Sequence, residues 1–204
     1  MWGCADMAVI VSKGIVVPYY GPPVGTTWLY EENGTFVVPA DGIYQVEMHG
    51  GGGGGSGGTS YKYMGSYFGS GGGGSGTVLT LSLNKDDSCS ITIGAGGAGG
   101  SVGYDGPSGN GSQGGTTTFG DYSIAGGYGG VGTGMHHAIS AGSSSGDLAT
   151  AGKCYDEDGA VDGGYGNKNN TAQTYGNGGA GGYHVNKGSD GKPGAVIITF
   201  MGVA

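Results

Sequence analysis

Residues 43–55 read Ile-Tyr-Gln-Val-Glu-Met-His-Gly-Gly-Gly-Gly-Gly-Gly, an alternating pattern that runs directly into an unbroken glycine tract. Tyr44, Val46 and Met48 fall on one face of the predicted strand and polar residues lie between them, which is the period-two signature of a half-buried strand. The glycines that follow have no side chain to bury, so they predict a different structure. Apolar strand patterns joined by glycine tracts recur along the chain and decide its fold class.

The glycine tracts favour an extended helix of the polyproline II type. Glycine supplies 55 of the 204 residues, and three tracts repeat in the phase Gly-Gly-x, at 96–101, 126–131 and 178–183. A helix with three residues per turn has no internal hydrogen bonds, so this repeat shows two bare backbone faces and one face of side chains. Because buried backbone groups need partners, such tracts either bundle together or stay disordered.

Further strand patterns predict an all-β fold. They span 35–39, 77–83, 89–93, 116–119, 122–125 and 195–201. The polar turn after Leu83 predicts that 77–83 and 89–93 form a hairpin, and we expect 35–49 to share a sheet with 195–201. Since no helical period is present, the predicted fold is a β-sandwich of the jelly-roll type with glycine-rich excursions that form polyglycine II-type helices, and without a notable α-helix. Residues 1–33 are predicted to be an N-terminal arm or attachment segment, or else only the first strand pair, and 34–204 a glycine-rich β domain.

Composition excludes several function classes. The net charge is −8, and the seven basic residues are all lysine, so the arginine-rich surface typical of nucleic-acid binding is missing. The sequence contains no run of 18 apolar residues, so no transmembrane helix is predicted. The N-terminus does not resemble a signal peptide. No Ser, Cys or His has a partner that spacing reveals, so we predict neither an enzyme nor a cofactor. Glycine loses much backbone freedom on folding, which favours a homo-oligomer.

Four blocks in order resemble a known family. Residues 35–42 with 44–55, then 90–100, then 114–120, then 191–198 resemble the glycine-rich domains of bacteriophage tail-fibre and tail-tip proteins, and the Gly-Gly-x phase resembles the polyglycine helix bundles of tail-fibre adhesins. Residues 135–175 depart from the pattern.

The resemblance implies a role in the virion. The implied protein is a tail-fibre or tail-tip component, made in the host cytoplasm without a signal peptide, that binds a bacterial surface glycan or outer protein. The resemblance also implies that the homo-oligomer is a trimer. Residues 1–33 would attach it to other tail proteins. Two alternatives stay open: a purely architectural tail, spike or capsid-associated protein, and a non-viral polyglycine structural or ice-binding protein.

Aromatic and histidine side chains in the tracts are the candidate receptor contacts. Tyrosine offers a rigid apolar face with a polar tip, and loops of Tyr, Ser, Gly and Asn form adaptable binding surfaces in antibodies. The candidates are Tyr61, Tyr63, Tyr67, Phe68, Tyr128, His136, His137, Tyr155, Tyr165 and Tyr175. The alternative is that these rings cap the glycine tracts and supply missing apolar area. Asp156, Asp158 and Asp162 are weak candidates for a metal site, since calcium binds carboxylate oxygens. A solvated acidic loop is the favoured interpretation, so no metal is predicted.

Overall fold

The computed structural model describes residues 9–12, 15–18, 21–62, 65–132, 134, 140–154, 162–169 and 174–203. The strands are β1 (Val9–Ser12), β2 (Ile15–Pro18), β3 (Thr27–Tyr30), β4 (Gly34–Val37), β5 (Gly42–His49), β6 (Thr59–Tyr61), β7 (Gly65–Tyr67), β8 (Thr77–Leu83), β9 (Ser88–Thr92), β10 (Gly103–Tyr104), β11 (Thr117–Phe119), β12 (Tyr122–Ile124) and β13 (Ala195–Gly202). No helix long and apolar enough to cross a bilayer lies within the described ranges.

Two four-stranded antiparallel sheets form a sandwich. One has the order β3-β13-β5-β8 and the other β12-β11-β9-β4. Their facing side chains form one apolar core, as the alternation along β5 predicts. The buried members are Phe36, Val38, Tyr44, Val46, Met48, Ile91, Phe119, Ile124, Val196, Ile198 and Phe200. The predicted all-β sandwich is therefore confirmed, and so is the predicted pairing of β5 with β13.

Two predicted pairings are wrong. Strands β8 and β9 do not form a hairpin, because β8 pairs with β5 and β9 pairs with β4 and β11. The turn between them carries the chain from one sheet to the other, so that Leu81 and Ile91 approach the core from opposite sides. For the same reason β4 lies in the opposite sheet from β5 and β13.

The strands before residue 34 and the two small sheets complete the fold. Strand β3 is an edge strand of the sandwich, paired with β13, so the chain before residue 34 contributes to the main sheet. Strands β1 and β2 pair with each other as a separate two-stranded sheet. Strands β10, β6 and β7 form a small three-stranded sheet, which lies where glycine segments reverse direction.

The glycine tracts pack side by side as a bundle. Within the described residues ten extended segments exchange backbone hydrogen bonds with one another. They span 50–58, 69–76, 94–103, 106–115, 125–132, 140–146, 148–153, 162–167, 174–183 and 186–194. Several continue sandwich strands without a break: 50–58 extends β5, and 186–194 leads into β13. The bundle is thus a direct extension of the sandwich.

Segment 50–58 lies at the centre of six neighbours. Every third amide donates to the same neighbour, as the N–H groups of Gly51, Gly54 and Gly57 do to the carbonyls of Gly115, Ser112 and Gly109, at N···O distances of 2.8, 2.9 and 3.1 Å. The three neighbours that accept from the segment run antiparallel to it, and the three that donate to it run parallel. This three-residue period is that of a polyglycine II-type helix. Of the two predicted outcomes, bundling and disorder, the described tracts show bundling.

Segment 69–76 is a second centre, beside the first. It exchanges hydrogen bonds with 50–58, 174–183, 162–167, 148–153, 140–146 and 125–132. The two rings of neighbours share 125–132 and 174–183, which lie on opposite sides of the central pair. The bundle consequently has three layers, in which 50–58 and 69–76 occupy the middle.

The middle layer requires glycine because neighbouring backbones approach its segments too closely to leave room for a side chain. A Cβ atom at Gly54 would overlap the carbonyl of Ala98, and the same holds at each glycine from Gly51 to Gly58 against a neighbouring carbonyl. The outer segments instead present side chains to solvent at every third position, as Ala98 and Tyr128 do. The predicted division into bare faces and a side-chain face is confirmed.

Three buried serines, Ser56, Ser70 and Ser75, replace glycine in the central segments, and their hydroxyl groups make hydrogen bonds with the surrounding backbone. The N–H of Ser70 donates to Oγ of Ser56 over 2.7 Å. The hydroxyl of Ser70 donates to the carbonyl of Val131 over 3.0 Å, and that of Ser75 to the carbonyl of Ala125 over 2.6 Å. Hydroxyl groups thus join the central and outer segments where spacing allows a side chain.

Replacing Gly54 with Ala should destabilise the protein by about 2–3 kcal/mol, because the added methyl group overlaps the carbonyl of Ala98, which a hydrogen bond from Ser112 holds in place. Gly106→Ala is the matched control, since the nearest atom to its added Cβ would be the carbonyl oxygen of Tyr104 at 3.8 Å. We expect the control to change the free energy of unfolding by less than about 0.5 kcal/mol. Chemical unfolding measures both. Similar stabilities for the two variants would contradict the packing described for the middle layer.

Candidate functional site

The bundle has two ends with different character. The sandwich end is where segments join strands of the sandwich. At the opposite end, here called the loop end, the described chain reverses at 59–62 with 65–68, at 103–106 and at 183–186, and segments of the bundle end at residues 132, 140, 153 and 162. Loops on a rigid scaffold are where proteins most often place binding residues, so the loop end is the first place to look for a site.

Aromatic rings gather at the loop end. The ring centroids of Phe68 and Tyr183 lie 4.5 Å apart in an edge-to-face arrangement, and those of Tyr183 and His184 lie 3.9 Å apart. The rings of Tyr61 and Tyr67 form a second edge-to-face pair at 6.1 Å. Such pairs restrict ring motion and stabilise the loops by roughly 0.5–1.5 kcal/mol each beyond simple burial. The loop end therefore presents ordered rings.

Tyr104 also lies at the loop end and, at 69 % exposed, is the most exposed aromatic residue in the described part of the chain. Its neighbour Asp105 has a φ of 51°, in the left-handed region that Asp tolerates better than most residues. The Asp105 carboxylate accepts a hydrogen bond of 2.7 Å from the N–H of Lys62, and its own N–H donates to the carbonyl of Ser60. These bonds fix the turn on β6 and leave the tyrosine ring outside it.

A second turn repeats this arrangement. His184 has a φ of 53°, and the preceding Tyr183 is 53 % exposed. Both turns are anchored to the end of the central segment, because Gly103 donates to the carbonyl of Gly58 and Gly58 donates to that of Asn186. Backbone held in a sparsely populated region is a feature of binding sites. The two turns thus flank the end of segment 50–58 and display one tyrosine each.

The predicted contact residues are divided among three places. Tyr61, Tyr67 and Phe68 lie at the loop end. Tyr128 and Tyr165 lie on the flanks of the bundle, on segments that contact opposite sides of segment 69–76. Tyr175 lies at the sandwich end. Tyr63, His136, His137, Tyr155, Asp156 and Asp158 fall outside the described residues.

Tyr175 has a structural role that the sequence pattern did not indicate. Its hydroxyl donates to Oε1 of Glu31 over 2.8 Å, and this hydrogen bond raises the pKa of Tyr175 above its ordinary value. The bond ties segment 174–183 to the turn after β3. Of the three weak metal candidates, only Asp162 is described, and it is exposed. Within the described part of the chain, no group of three His, Cys, Asp or Glu could hold a metal ion.

Sequence reasoning omitted Tyr104, Tyr183 and His184 from the candidate contacts. The available signal was weak: Tyr183 ends a Gly-Gly-x tract, and Tyr104 stands one residue before the Asp105-Gly106-Pro107 turn signal. Which tyrosines reach the loop end depends on the direction in which each segment runs. That direction follows from segment pairing, which the spacing of glycines does not specify.

A buried polar network connects the sandwich to the bundle and is a second candidate site. His49 is completely buried at the end of β5. Its Nε2 lies 2.8 Å from Oε1 of Glu47, and its Nδ1 lies 3.2 Å from the carbonyl oxygen of Ser75. The same Glu47 oxygen accepts a bond of 2.7 Å from the side-chain amide of Asn167. Both ring nitrogens therefore lie against oxygen atoms, one of a carboxylate and one of a backbone carbonyl.

This network has the character of a structural joint. The hydrogen bond from His49, reinforced by the bond from Asn167 and opposed by partial burial, holds the pKa of Glu47 below its ordinary value of 4.5. No buried polar side-chain atom lacks a hydrogen-bond partner among the residues described, so Glu47 and His49 satisfy each other. The network links β5, segment 69–76 and segment 162–167, and its arrangement serves stability.

A sandwich extended by a bundle of polyglycine II-type helices defines a class of protein: a rigid glycine-built stem that displays loops at one end. The sequence profile of a family described as glycine-rich domain matches residues 31–160. Since the match covers more than half of the chain, this protein belongs to the glycine-rich domain family. The match includes both central segments and ends before β13. No curated protein matches the chain.

Replacing Glu47 with Gln should remove a pH-dependent part of the stability. Because folding lowers the pKa of Glu47, its carboxylate stabilises the folded protein above the unfolded pKa, and this contribution is lost as pH falls through the folded pKa. We expect the variant to be about 1.5 kcal/mol less stable at about pH 6, the size of a hydrogen bond to a charged group, and the difference to shrink toward about pH 3.

The matched control is Glu32→Gln, which removes the same charge from an exposed residue of the turn between β3 and β4. Unfolding in urea across this pH range measures both differences. If the two variants follow the same pH dependence, the Glu47 joint does not contribute as described.

Proposed function

We propose that this protein is a bacteriophage virion component, part of a tail fibre or tail tip, that binds the host cell surface without catalysis through its loop end. The observation that carries the proposal is the placement of ordered, exposed aromatic turns at the end of the bundle opposite the sandwich. A rigid stem holds these turns away from the body of the protein. The ordered sequence blocks that resemble tail-fibre and tail-tip domains supply the virion context.

The loop end has the chemistry of a recognition surface. Its exposed apolar side chains include Tyr104, Tyr183, Val185 and Val131, which are 69, 53, 40 and 44 % exposed. Exposed apolar groups clustered at one place mark interaction sites in soluble proteins, and tyrosine is enriched among the residues that dominate binding energy. Surface glycans and outer-protein loops both offer faces on which such rings can lie.

The remaining parts of the proposal concern assembly. Residues 1–33 are proposed to attach the protein to other tail proteins, and the assembled state is proposed to be a homotrimer in the virion. The separate β1–β2 sheet supports an attachment role, because an isolated two-stranded hairpin is only marginally stable in water. Sedimentation or light scattering of the full chain tests the oligomer.

The alternatives give different results in the same experiments. A purely architectural virion protein would contact only other virion proteins, and its loop end would show no affinity for cells. An ice-binding protein would lower the freezing point below the melting point and would need a flat, regular face. The bundle flanks carry Tyr128 and Tyr165, which are 52 and 43 % exposed, and such protruding rings do not favour that reading.

The proposal is tested by binding of the fluorescently labelled full chain to a broad panel of bacterial strains, measured by flow cytometry. We expect saturable binding to at least one strain. On that strain Tyr104→Ala should weaken binding at least tenfold, the effect of losing a well-placed aromatic contact. Its free energy of unfolding should change by less than about 0.5 kcal/mol, because the ring is exposed.

Tyr128→Ala is the matched control, since it removes a similarly exposed tyrosine from the flank of the bundle. We expect it to bind like the unmodified protein. Absence of binding to every strain of the panel would favour the architectural alternative. Loss of binding in the Tyr128 variant and not in the Tyr104 variant would move the site to the flank.

A further inference from the structure

The two outer faces of the sandwich differ in chemistry. An antiparallel sheet usually turns polar residues to solvent on the face that points away from the core. The outer face of the sheet β12-β11-β9-β4 follows this rule, since all but one of its outward side chains are serine or threonine. These residues are Thr35, Val37, Ser88, Ser90, Thr92, Thr118 and Ser123.

The outer face of the other sheet, β3-β13-β5-β8, does not follow this rule and is here called the β5 face. Its apolar outward side chains are Leu29, Ile43, Val78, Ile197 and Met201, and its polar ones are Thr27, Gln45, Glu47, Thr80, Ser82 and Thr199. None of them belongs to the core between the sheets, and each is half-buried or exposed. The β5 face thus exposes apolar side chains that a solvated sheet face would not normally carry.

The bundle covers only the rim of the β5 face that lies next to it. His49 and Ala195 continue the same face at this rim and are completely buried. There the ring centroid of Tyr175, near the start of segment 174–183, lies 6.3 Å from that of His49. Beyond the rim the side chains of the face stay accessible. Exposed apolar groups that cluster in this way mark interaction surfaces.

The β5 face is almost free of charge, although the chain is strongly acidic. Its one charged residue is Glu47 at the rim, whose carboxylate is already bonded to His49 and Asn167. The whole chain carries a net charge of −8, so two copies repel each other across most of their surfaces. The β5 face is where like-charged copies can meet without that repulsion. A partner selected by opposite charge would find no free carboxylate or ammonium group to pair with here.

The polar groups of the face are of a kind that can pair with themselves. Thr27, Thr199, Gln45 and Thr80 stand in register across the four strands, and the hydroxyl oxygens of Thr27 and Thr199 lie 3.2 Å apart. Hydroxyl and amide groups both donate and accept hydrogen bonds, so this row can bond to an identical row. In a symmetric assembly, a face that lies on the symmetry axis meets the same face of another copy. The chemistry of the row therefore fits a second copy of this chain.

We propose that the β5 face binds the same face of a second copy of this chain, with the two sheets packed face to face at the usual separation of about 10 Å. Leu29, Ile197 and Met201 are then removed from water, and the row of threonine and glutamine side chains forms hydrogen bonds between the copies. This inference rests on the homo-oligomer proposed above and names the surface that forms it. It is independent of host binding, because the loop end lies at the other end of the molecule.

The contact is tested by sedimentation equilibrium of the full chain from about 1 to about 100 μM, a range that covers moderate affinities. We expect the unmodified protein to be larger than a monomer in this range. Leu29→Lys should weaken its association at least tenfold, because the contact would then bury ammonium groups of like charge without partners. The midpoint of urea unfolding should rise with protein concentration for the unmodified protein and not for this variant.

Val37→Lys is the matched control. Val37 points outward from β4, the edge strand of the opposite sheet, and is 58 % exposed against 50 % for Leu29. The two variants therefore make the same change of charge and size at similar positions on the two outer faces. We expect Val37→Lys to associate like the unmodified protein and to keep the concentration dependence of its unfolding.

A second variant tests the polar row with a change that keeps the shape of the side chain. Gln45→Glu places a carboxylate in the row, where it would face the carboxylate of the other copy, and should weaken association at least threefold at about pH 7. Gln113→Glu makes the same change at an exposed position on the bundle and should leave association unchanged. Because Gln45 is exposed, this variant decides the question if Leu29→Lys does not fold.

Three results would overturn the proposal. They are a monomeric unmodified protein at every concentration, equal weakening by the Val37 or Gln113 control, and unchanged association in the Leu29 and Gln45 variants. Cell binding of the Leu29 variant is measured separately by flow cytometry. A monomer that still binds cells saturably leaves the host-binding proposal intact, and an oligomer that binds no strain leaves the β5 contact intact, so the two proposals fail independently.

Discussion

The whole structure depends on one constraint: a backbone packed against backbone must find every hydrogen-bond partner in its neighbours. In the middle layer of the bundle there are no side chains to exclude water or to fill space, apart from a few serine hydroxyls. Segment 50–58 meets the constraint by exchanging bonds with six neighbours in a strict three-residue period. Each bond contributes only about 0.5–1.5 kcal/mol net, so stability comes from their number and from the close packing that glycine permits.

The sandwich makes this arrangement possible by fixing where each segment begins. Strand β5 ends at His49 and the next residue is the first glycine of the central segment, so the direction set by the sheet continues into the bundle. The buried contacts of Glu47, His49 and Asn167 hold the two parts together at that point. The apolar side-chain core of the sandwich is therefore continuous with the hydrogen-bonded backbone core of the bundle.

Much of the fold was predictable because the sequence shows a two-residue period in the strands and a three-residue period in the glycine tracts. Alternation at Tyr44, Val46 and Met48 gave the core face of β5, and the Gly-Gly-x phase around Tyr128 gave the outward position of an outer segment. Pairing was harder. Both β8 and β9 show inward apolar residues, and the polar turn between them has the same appearance whether it closes a hairpin or passes between sheets.

The candidate site was less predictable than the fold for a related reason. Spacing shows that Tyr104 and Tyr175 both lie near glycine tracts, but one reaches the loop end and the other binds Glu31 beside the sandwich. Only the order and direction of the segments separates these outcomes, and those depend on contacts between residues distant in sequence. A tyrosine in a glycine tract is thus a poor guide to binding until the bundle is known.

The three-residue period has a consequence for how such a protein can change over evolutionary time. Adding or removing one or two residues inside a segment would shift its phase against all its neighbours, and lengthening the stem by a full turn would need matched insertions in every segment. The turns at 103–106 and 183–186 begin or end in such bonds, but the residues inside them, Tyr104 and His184 among them, make none that follow the three-residue period. The displayed turns can therefore change in length without disturbing the hydrogen bonds of the glycine stem beneath them, whereas the segments cannot.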